Sequence, residues 1–104
     1  MMNKKIIYYG EANEDGEYQI TVCPVITEDD VYYRSLYRKF HKSKFEKEID
    51  RSEYDAFVYE EYTFWSFDKE KVVEFLNEKK KYFIQKTKAL LDELEKKPIS
   101  IIDE

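Results

Sequence analysis

The residues best suited to binding chemistry lie in one short basic and aromatic segment, between positions 31 and 45. This segment carries five lysine and arginine residues and no acidic residue. Aromatic rings can stack on bases while cations neutralise phosphates, so these residue types on one strand are typical of proteins that bind single-stranded nucleic acid. The candidate residues for such a surface are Tyr33, Arg34, Tyr37, Arg38 and Lys39.

Two other interpretations of this segment remain open. The chain has a net charge of -5, whereas a nucleic-acid-binding protein usually has a dominant basic field. The basic strand could instead pair with acidic neighbours, each cross-strand ion pair contributing a few tenths of a kcal/mol. It could also contact an acidic partner protein.

Acidic residues are concentrated in two other segments. Residues 11–30 contain seven acidic residues and no basic one, and residues 46–61 contain seven more, with only Lys47 and Arg51 as basic residues. A surface rich in carboxylates can occupy a phosphate site on a protein that handles DNA or RNA, and its field would steer association. The alternative is a solvated acidic face that serves solubility. The candidate residues are Glu28, Asp29, Asp30, Glu60 and Glu61.

Catalytic and metal-binding motifs are absent from the sequence. The single histidine, His41, has no nucleophile beside it, and Cys23 could reach it only through folding. Zinc sites need several cysteine or histidine ligands. A phosphate-binding loop needs several glycines, whereas Gly10 and Gly16 stand alone in unrelated turns. We therefore predict no catalytic residue, no metal and no cofactor. An enzyme with a site of carboxylates and tyrosines is kept as a third alternative.

Length and composition favour one folded domain. A chain of 104 residues with 42% hydrophobic and 17% aromatic residues can bury a core without metal or disulfide support. Cys23 has no partner in the chain and is expected to be a small buried thiol. The first nine residues are too short for a signal-peptide core, so we expect a cytoplasmic protein.

The hydrophobic pattern predicts an α+β fold, in which a small antiparallel sheet of three to four strands packs against one long C-terminal α-helix. Strands are predicted at residues 4–9 and 17–26, joined by a turn at Asp15-Gly16, and at residues 31–40 and 62–65. A turn is expected at residues 28–30, and Ser52 favours a short helical turn at residues 53–57. The single domain 1–104 thus divides into a mostly β part (1–66), a helix (67–97) and a tail (98–104).

The helix is the clearest element in the sequence. Ser66 or Asp68 can cap its start, and Pro98 ends it. Some 30 residues make a rod of about 45 Å, whereas a globule of this size is roughly 35 Å across, so the distal part should overhang the sheet unless the helix kinks near residues 79–81. Either the tail at residues 99–102 or a second chain, as in a homodimer, would cover the apolar side chains there. These are Leu90, Leu91 and Leu94.

Charge segregation without catalytic motifs predicts a small non-enzymatic protein-binding module. Fifteen lysines against three arginines, with many residues encoded by AT-rich codons, give a composition similar to that of small phage or mobile-element proteins. On this basis, the leading hypothesis is an inhibitor or adaptor of the anti-CRISPR or anti-restriction type. Its partner would be a host protein such as a nuclease or CRISPR effector. A single-stranded nucleic-acid-binding protein is the alternative.

Overall fold

The computed structural model describes residues 5–52 and 59–96, which form two antiparallel sheets and one long helix. The first sheet has the strand order β2-β1-β7-β6 and the second has the order β3-β4-β5. The predicted α+β fold, with an antiparallel sheet on a C-terminal helix, is confirmed. The elements are β1 (Ile6–Asn13), β2 (Tyr18–Pro24), β3 (Thr27–Glu28), β4 (Tyr32–Arg34), β5 (Lys39–His41), a 3₁₀ turn (Lys42–Lys44), β6 (Ile49–Asp50), β7 (Glu61–Ser66) and α1 (Lys69–Lys96).

The hairpin formed by β1 and β2 closes at the predicted Asp15-Gly16 turn. The Asn13 side-chain oxygen accepts hydrogen bonds of 3.1 Å from the backbone N–H groups of Asp15 and Glu17. Gly16 has a φ of 82°, in the left-handed region that favours glycine. Strand β1 continues to Asn13, four residues beyond the predicted end, because its backbone pairs with β2 on one edge and with β7 on the other.

The prediction of one strand over residues 31–40 is wrong. The chain forms β4, reverses at residues 35–38 and returns as β5. At the reversal, the backbone N–H of Ser35 donates to the Arg38 carbonyl at 2.8 Å, and the Ser35 hydroxyl accepts from the Arg38 N–H at 3.2 Å. A serine that bonds the neighbouring backbone competes with strand pairing, so Ser35 is the physical reason for the break.

The core between the two sheets is built around Trp65. The four-stranded sheet contributes Ile7, Cys23 and Trp65, and the three-stranded sheet contributes Phe40. The Trp65 ring lies 5.1 Å from the Phe40 ring and 6.0 Å from the Tyr33 ring, measured between centroids. The buried position of Cys23 agrees with the prediction of a small buried thiol.

The opposite face of the four-stranded sheet packs against α1. Val72, Phe75 and Phe83 are the buried residues among the described side chains of the helix, and the Phe75 ring stacks on Phe64 of β7 with centroids 5.3 Å apart. Gly10 of β1 lies so close to Val72 that a methyl group on its Cα atom would be 2.7 Å from the Val72 Cγ1 atom. The central strands β1 and β7 are therefore covered on both faces.

The start of α1 is held by both predicted capping residues. The Ser66 hydroxyl accepts from the Asp68 N–H at 2.9 Å, and the Asp68 carboxylate accepts from the Glu70 N–H at 3.0 Å. The 28 residues of α1 span about 42 Å, and every residue from 84 to 93 is exposed. The predicted overhang is therefore present. The predicted helical turn at residues 53–57 and the tail lie outside the described residues.

Replacing Gly10 by alanine should lower the free energy of unfolding by about 1–3 kcal/mol, the usual cost of overpacking. The new methyl group would meet the Val72 side chain and the Phe64 carbonyl oxygen. Urea unfolding followed by circular dichroism measures this change.

The same substitution in a Val72→Ala protein tests whether the contact with Val72 causes the loss of stability. In a Val72→Ala protein, the Gly10→Ala substitution should cost measurably less, because the nearest clashing atom has been removed. An equal cost in both backgrounds would show that the approach of Val72 is not the origin of the effect.

Candidate functional site

The acidic and basic segments of the sequence pair with each other around the second sheet. The Glu28 carboxylate accepts hydrogen bonds of 2.8 Å from both Lys42 and Lys5, and Asp29 pairs with Arg34 at 2.5 Å. This is the cross-strand pairing considered as an alternative from the sequence. Both acidic residues are therefore engaged within the protein.

Hydrogen bonds lower the pKa of both carboxyl groups. The pKa of Glu28 is lowered chiefly by the hydrogen bonds from Lys42 and Lys5. The pKa of Asp29 is lowered first by Arg34 and then by the backbone N–H groups of Tyr32 and Val31, which lie 2.8 Å from its Oδ1 atom. Asp29 thus shapes the turn that was predicted at residues 28–30.

Glu60 connects the polar end of β7 to the middle of the helix. Its carboxylate accepts hydrogen bonds from the hydroxyls of Tyr62 at 2.9 Å and Tyr82 at 2.7 Å, and it forms an ion pair with Lys86. Burial alone would raise the pKa of Glu60, but Lys86, Tyr82 and Tyr62 lower it. Glu60 therefore has a structural role. Of the five acidic candidates, Asp30 is exposed and Glu61 is half-buried in β7.

The basic aromatic candidates do not form one continuous surface. The half-buried Tyr33 packs edge-on against Trp65 and Phe67. The Arg38 guanidinium lies 4.6 Å above the Tyr9 ring, and the Lys39 ammonium lies 4.6 Å from the Tyr32 ring. Of the two candidate tyrosines, Tyr37 alone is available for stacking on a partner.

The turn between β4 and β5, residues 35–38, exposes two large apolar side chains. Leu36 is 70% exposed and Tyr37 is 90% exposed. We call this turn the hairpin tip. The bonds between Ser35 and Arg38 hold its backbone. Leu36 was missed from the sequence, because it looked like part of a strand with two apolar faces.

A cavity of about 240 Å³ lies between the β4–β5 hairpin and the four-stranded sheet. None of the described residues that line it is acidic. We call it the cationic pocket. Its lining consists of five basic residues (Arg38, Lys39, His41, Lys44 and Arg51) and of Tyr9, Phe40, Ile49, Thr63 and Trp65.

Two hydroxyl groups lie among these cations. Burial and the Glu11 carboxylate raise the pKa of Tyr9, while Thr63, Arg51 and Arg38 act in the opposite direction. The Tyr9 hydroxyl is consequently protonated at neutral pH and can donate a hydrogen bond. Thr63 is 2% exposed, and its Oγ1 atom has no hydrogen-bond partner of acceptable distance and angle among the described residues. No sequence pattern connects Tyr9, Arg51 and Thr63, so folding alone reveals the pocket.

Cys23 and His41 do not form a thiolate pair. Burial raises the pKa of the Cys23 thiol, which donates to the Thr21 carbonyl at 3.8 Å. The His41 Nδ1 atom accepts a 3.1 Å hydrogen bond from the Ser43 N–H. Each side chain is therefore hydrogen-bonded to a residue two positions away in the chain. Within residues 5–52 and 59–96, no group of three or more His, Cys, Asp or Glu side chains could hold a metal ion.

The distal helix carries the residues predicted for self-association. Leu90 is 57% exposed and Leu91 is 53% exposed, while the Leu94 side chain lies outside the described part of the structure. The exposed Ile84 precedes Leu91 by seven residues, so both lie on the same side of the helix. This face has no partner among the described residues.

Replacing Glu60 by glutamine should lower the free energy of unfolding by about 1–3 kcal/mol at neutral pH, because three donors lose a charged acceptor. A carboxylate whose pKa is lowered by folding stabilises the protein above the ordinary pKa of glutamate, near 4.3, and this contribution disappears as the pH falls through the folded value. The difference from the parent protein should therefore shrink in acid.

Urea unfolding at pH 7 and pH 3 measures both effects. Glu61→Gln is the matched control, since it makes the same change of charge one residue along. A loss in Glu61→Gln as large as that in Glu60→Gln would show that net charge, and not the three hydrogen bonds, sets the stability.

In the described part of the chain, no helix is both long and apolar enough to cross a membrane. No protein-family model, curated protein sequence or solved structure matches the chain. The hairpin tip, the cationic pocket and the distal helix are the features of the structure that indicate a function.

Proposed function

We propose that this protein is a small non-enzymatic binding module whose hairpin tip contacts an acidic surface on a partner protein. The observation that carries this proposal is the exposure of Leu36 and Tyr37 side by side on a turn flanked by cations. Single exposed apolar residues are common on protein surfaces. Two adjacent large side chains on a held turn are better suited to an interface.

The geometry of the tip favours tight contact. Tyrosine and arginine are enriched among the residues that contribute most to protein–protein binding, and Tyr37 precedes Arg38 here. The hydrogen bonds between Ser35 and Arg38 hold the turn before any partner binds. A pre-organised loop loses less conformational entropy on binding.

Charge indicates the chemistry of the partner. Arg38 lies 3.8 Å from Glu11, a long ion pair, and Lys39 has no ion pair among the described residues. Both cations can therefore interact with carboxylates on another surface. An acidic partner would add electrostatic attraction to the apolar contacts of Leu36 and Tyr37.

A protein partner is favoured over single-stranded nucleic acid. Arg34 and Lys42 are neutralised by Asp29 and Glu28, so fewer cations of the segment remain to follow a phosphate backbone. Nucleic-acid affinity depends on neutralising many phosphates, and the chain has a net charge of -5. A host nuclease or CRISPR effector stays a candidate partner, because magnesium-dependent enzymes of this type present carboxylates at their metal sites.

Alanine substitution of both Leu36 and Tyr37 should remove partner binding without lowering stability, since both side chains are exposed. Affinity capture from a low-GC bacterial lysate would compare the parent protein, this double variant and a Val22→Ala control. Val22 is also an exposed apolar residue, on β2. A partner that depends on the tip should be retained by the control and lost, by about tenfold or more, from the double variant.

Direct binding with the purified partner then tests the interface. Backbone amides of residues 32–41 should be protected from hydrogen exchange in the complex. Equal capture by the double variant would overturn the proposal. So would recovery of nucleic acid alone, with loss of all captured protein after nuclease treatment.

A second copy of this chain is the partner that we propose for the distal helix. The exposed Lys80, Lys81 and Lys88 lie toward the sheet, whereas Asp92 and Glu93 lie toward the end of the helix. In an antiparallel pair, the basic part of one helix would face the acidic part of the other. The exposed residues Ile84, Leu90 and Leu91 would be buried between them.

Replacing Leu91 by glutamate should shift the monomer–dimer equilibrium toward monomer by at least about tenfold, because a charge would enter the apolar seam. Sedimentation velocity over a range of concentrations measures the shift. The control Gln85→Glu adds the same charge one residue after Ile84. A parent protein that remains monomeric at all concentrations would contradict this assignment.

A further inference from the structure

We infer that the cationic pocket is a binding site for a phosphoryl oxyanion, supplied as free phosphate or as a phosphate monoester. This site goes beyond the proposed contact with a protein partner, because its defining residues, Thr63, Tyr9 and Arg51, lie outside the hairpin tip.

The charge of the lining is the first argument. Four of the ten lining residues are lysine or arginine, and the lining has no acidic member among the described residues, although the whole chain has a net charge of -5. Arg38 lies 3.8 Å from the Glu11 carboxylate. Arg51, Lys39 and Lys44 form no ion pair with a described residue. A cleft lined by one sign of charge concentrates ions of the opposite sign.

Thr63 supplies an independent argument. Its hydroxyl is buried in the lining and makes no hydrogen bond of good geometry with a described residue, although it lies close enough to Tyr9 to lower the pKa of that hydroxyl. Such a group ordinarily costs about 1–3 kcal/mol, and buried polar groups are nearly always satisfied by protein, water or ligand. A residue of similar shape without the hydroxyl, valine, would fill the position at no such cost. A threonine here is explained if the pocket holds a polar occupant.

The donors around the pocket suit a phosphoryl group in particular. The Arg38 guanidinium lies 4.6 Å above the Tyr9 ring, and Arg51 lines the same pocket, so two guanidinium groups border it. Arginine presents a planar fork that matches phosphate oxygens, and a protonated Tyr9 can donate to a third oxygen. A single carboxylate would use one fork and leave the other cations unpaired.

The size of the pocket limits what can bind. Its volume of about 240 Å³ is below the range of roughly 300–1,000 Å³ that is typical of sites for drug-sized ligands. The pocket therefore suits a phosphate ion or the phosphoryl end of a small monoester. A whole nucleotide would extend beyond it.

Trp65 provides a direct readout, because it is the single tryptophan of the chain and it lines the pocket. Inorganic phosphate and glycerol 3-phosphate would be titrated separately at constant ionic strength while tryptophan fluorescence is recorded. A saturable change with either ligand is expected. Tighter binding of glycerol 3-phosphate would assign the site to monoesters, whereas equal or tighter binding of phosphate would assign it to the free ion.

Two substitutions test which groups hold the anion. Arg51→Gln should weaken binding by about tenfold or more, the usual effect of losing a charge-assisted hydrogen bond. Thr63→Val should also weaken it, without lowering the melting temperature. Lys69→Gln is the matched control, since it removes one positive charge at the exposed start of α1 and should leave the affinity unchanged.

Three results would overturn the site. These are no saturable change with phosphate or glycerol 3-phosphate, an equal change when sodium chloride or acetate replaces them, and an equal loss of affinity in Lys69→Gln and Arg51→Gln. The alanine double variant at Leu36 and Tyr37 separates this inference from the proposed function. It should bind phosphate normally, whether or not it still captures a partner.

Discussion

Trp65 lies where the two sheets meet, and its burial fixes the position of the hairpin tip and of the cationic pocket. Phe40 and Tyr33 of the β4–β5 hairpin and Phe45 after it pack around the Trp65 ring, so this hairpin is held against the four-stranded sheet. That packing leaves the cationic pocket beside the indole ring. On the other face of the sheet, the close approach of Gly10 to Val72 brings α1 into contact. The central sheet is thereby packed on both sides.

Internal ion pairs decide which charges are left for partners. Glu28 and Asp29 neutralise Lys42 and Arg34, and Glu60 is satisfied by two tyrosines and Lys86. Among the cations without a described ion pair, Lys39, Lys44 and Arg51 lie together in the lining of the cationic pocket. A protein with an overall negative charge therefore presents a small positive region, because no described carboxylate lines the pocket that holds these cations.

Local sequence features predicted the elements that local physics controls. The Asp15-Gly16 turn requires a backbone conformation that glycine adopts easily, and the start of α1 requires side-chain caps, which Ser66 and Asp68 provide. The division of residues 31–40 was missed because aromatic residues favour strands on either side of the Ser35 turn. The sequence predicted the apolar stripe of α1, but it could not show that residues 84–93 are exposed beyond the buried Phe83.

The amino-acid sequence by itself determined the α+β class, the long helix and the separation of acidic from basic residues. These depend on turn chemistry, periodicity and composition, which are properties of neighbouring residues. Tertiary structure alone decided that Tyr33 and Phe40 belong to the core, that Leu36 and Tyr37 are exposed, and that Thr63 lies among cations. Those outcomes depend on contacts between residues far apart in the chain, and such contacts are set when the two sheets close around Trp65.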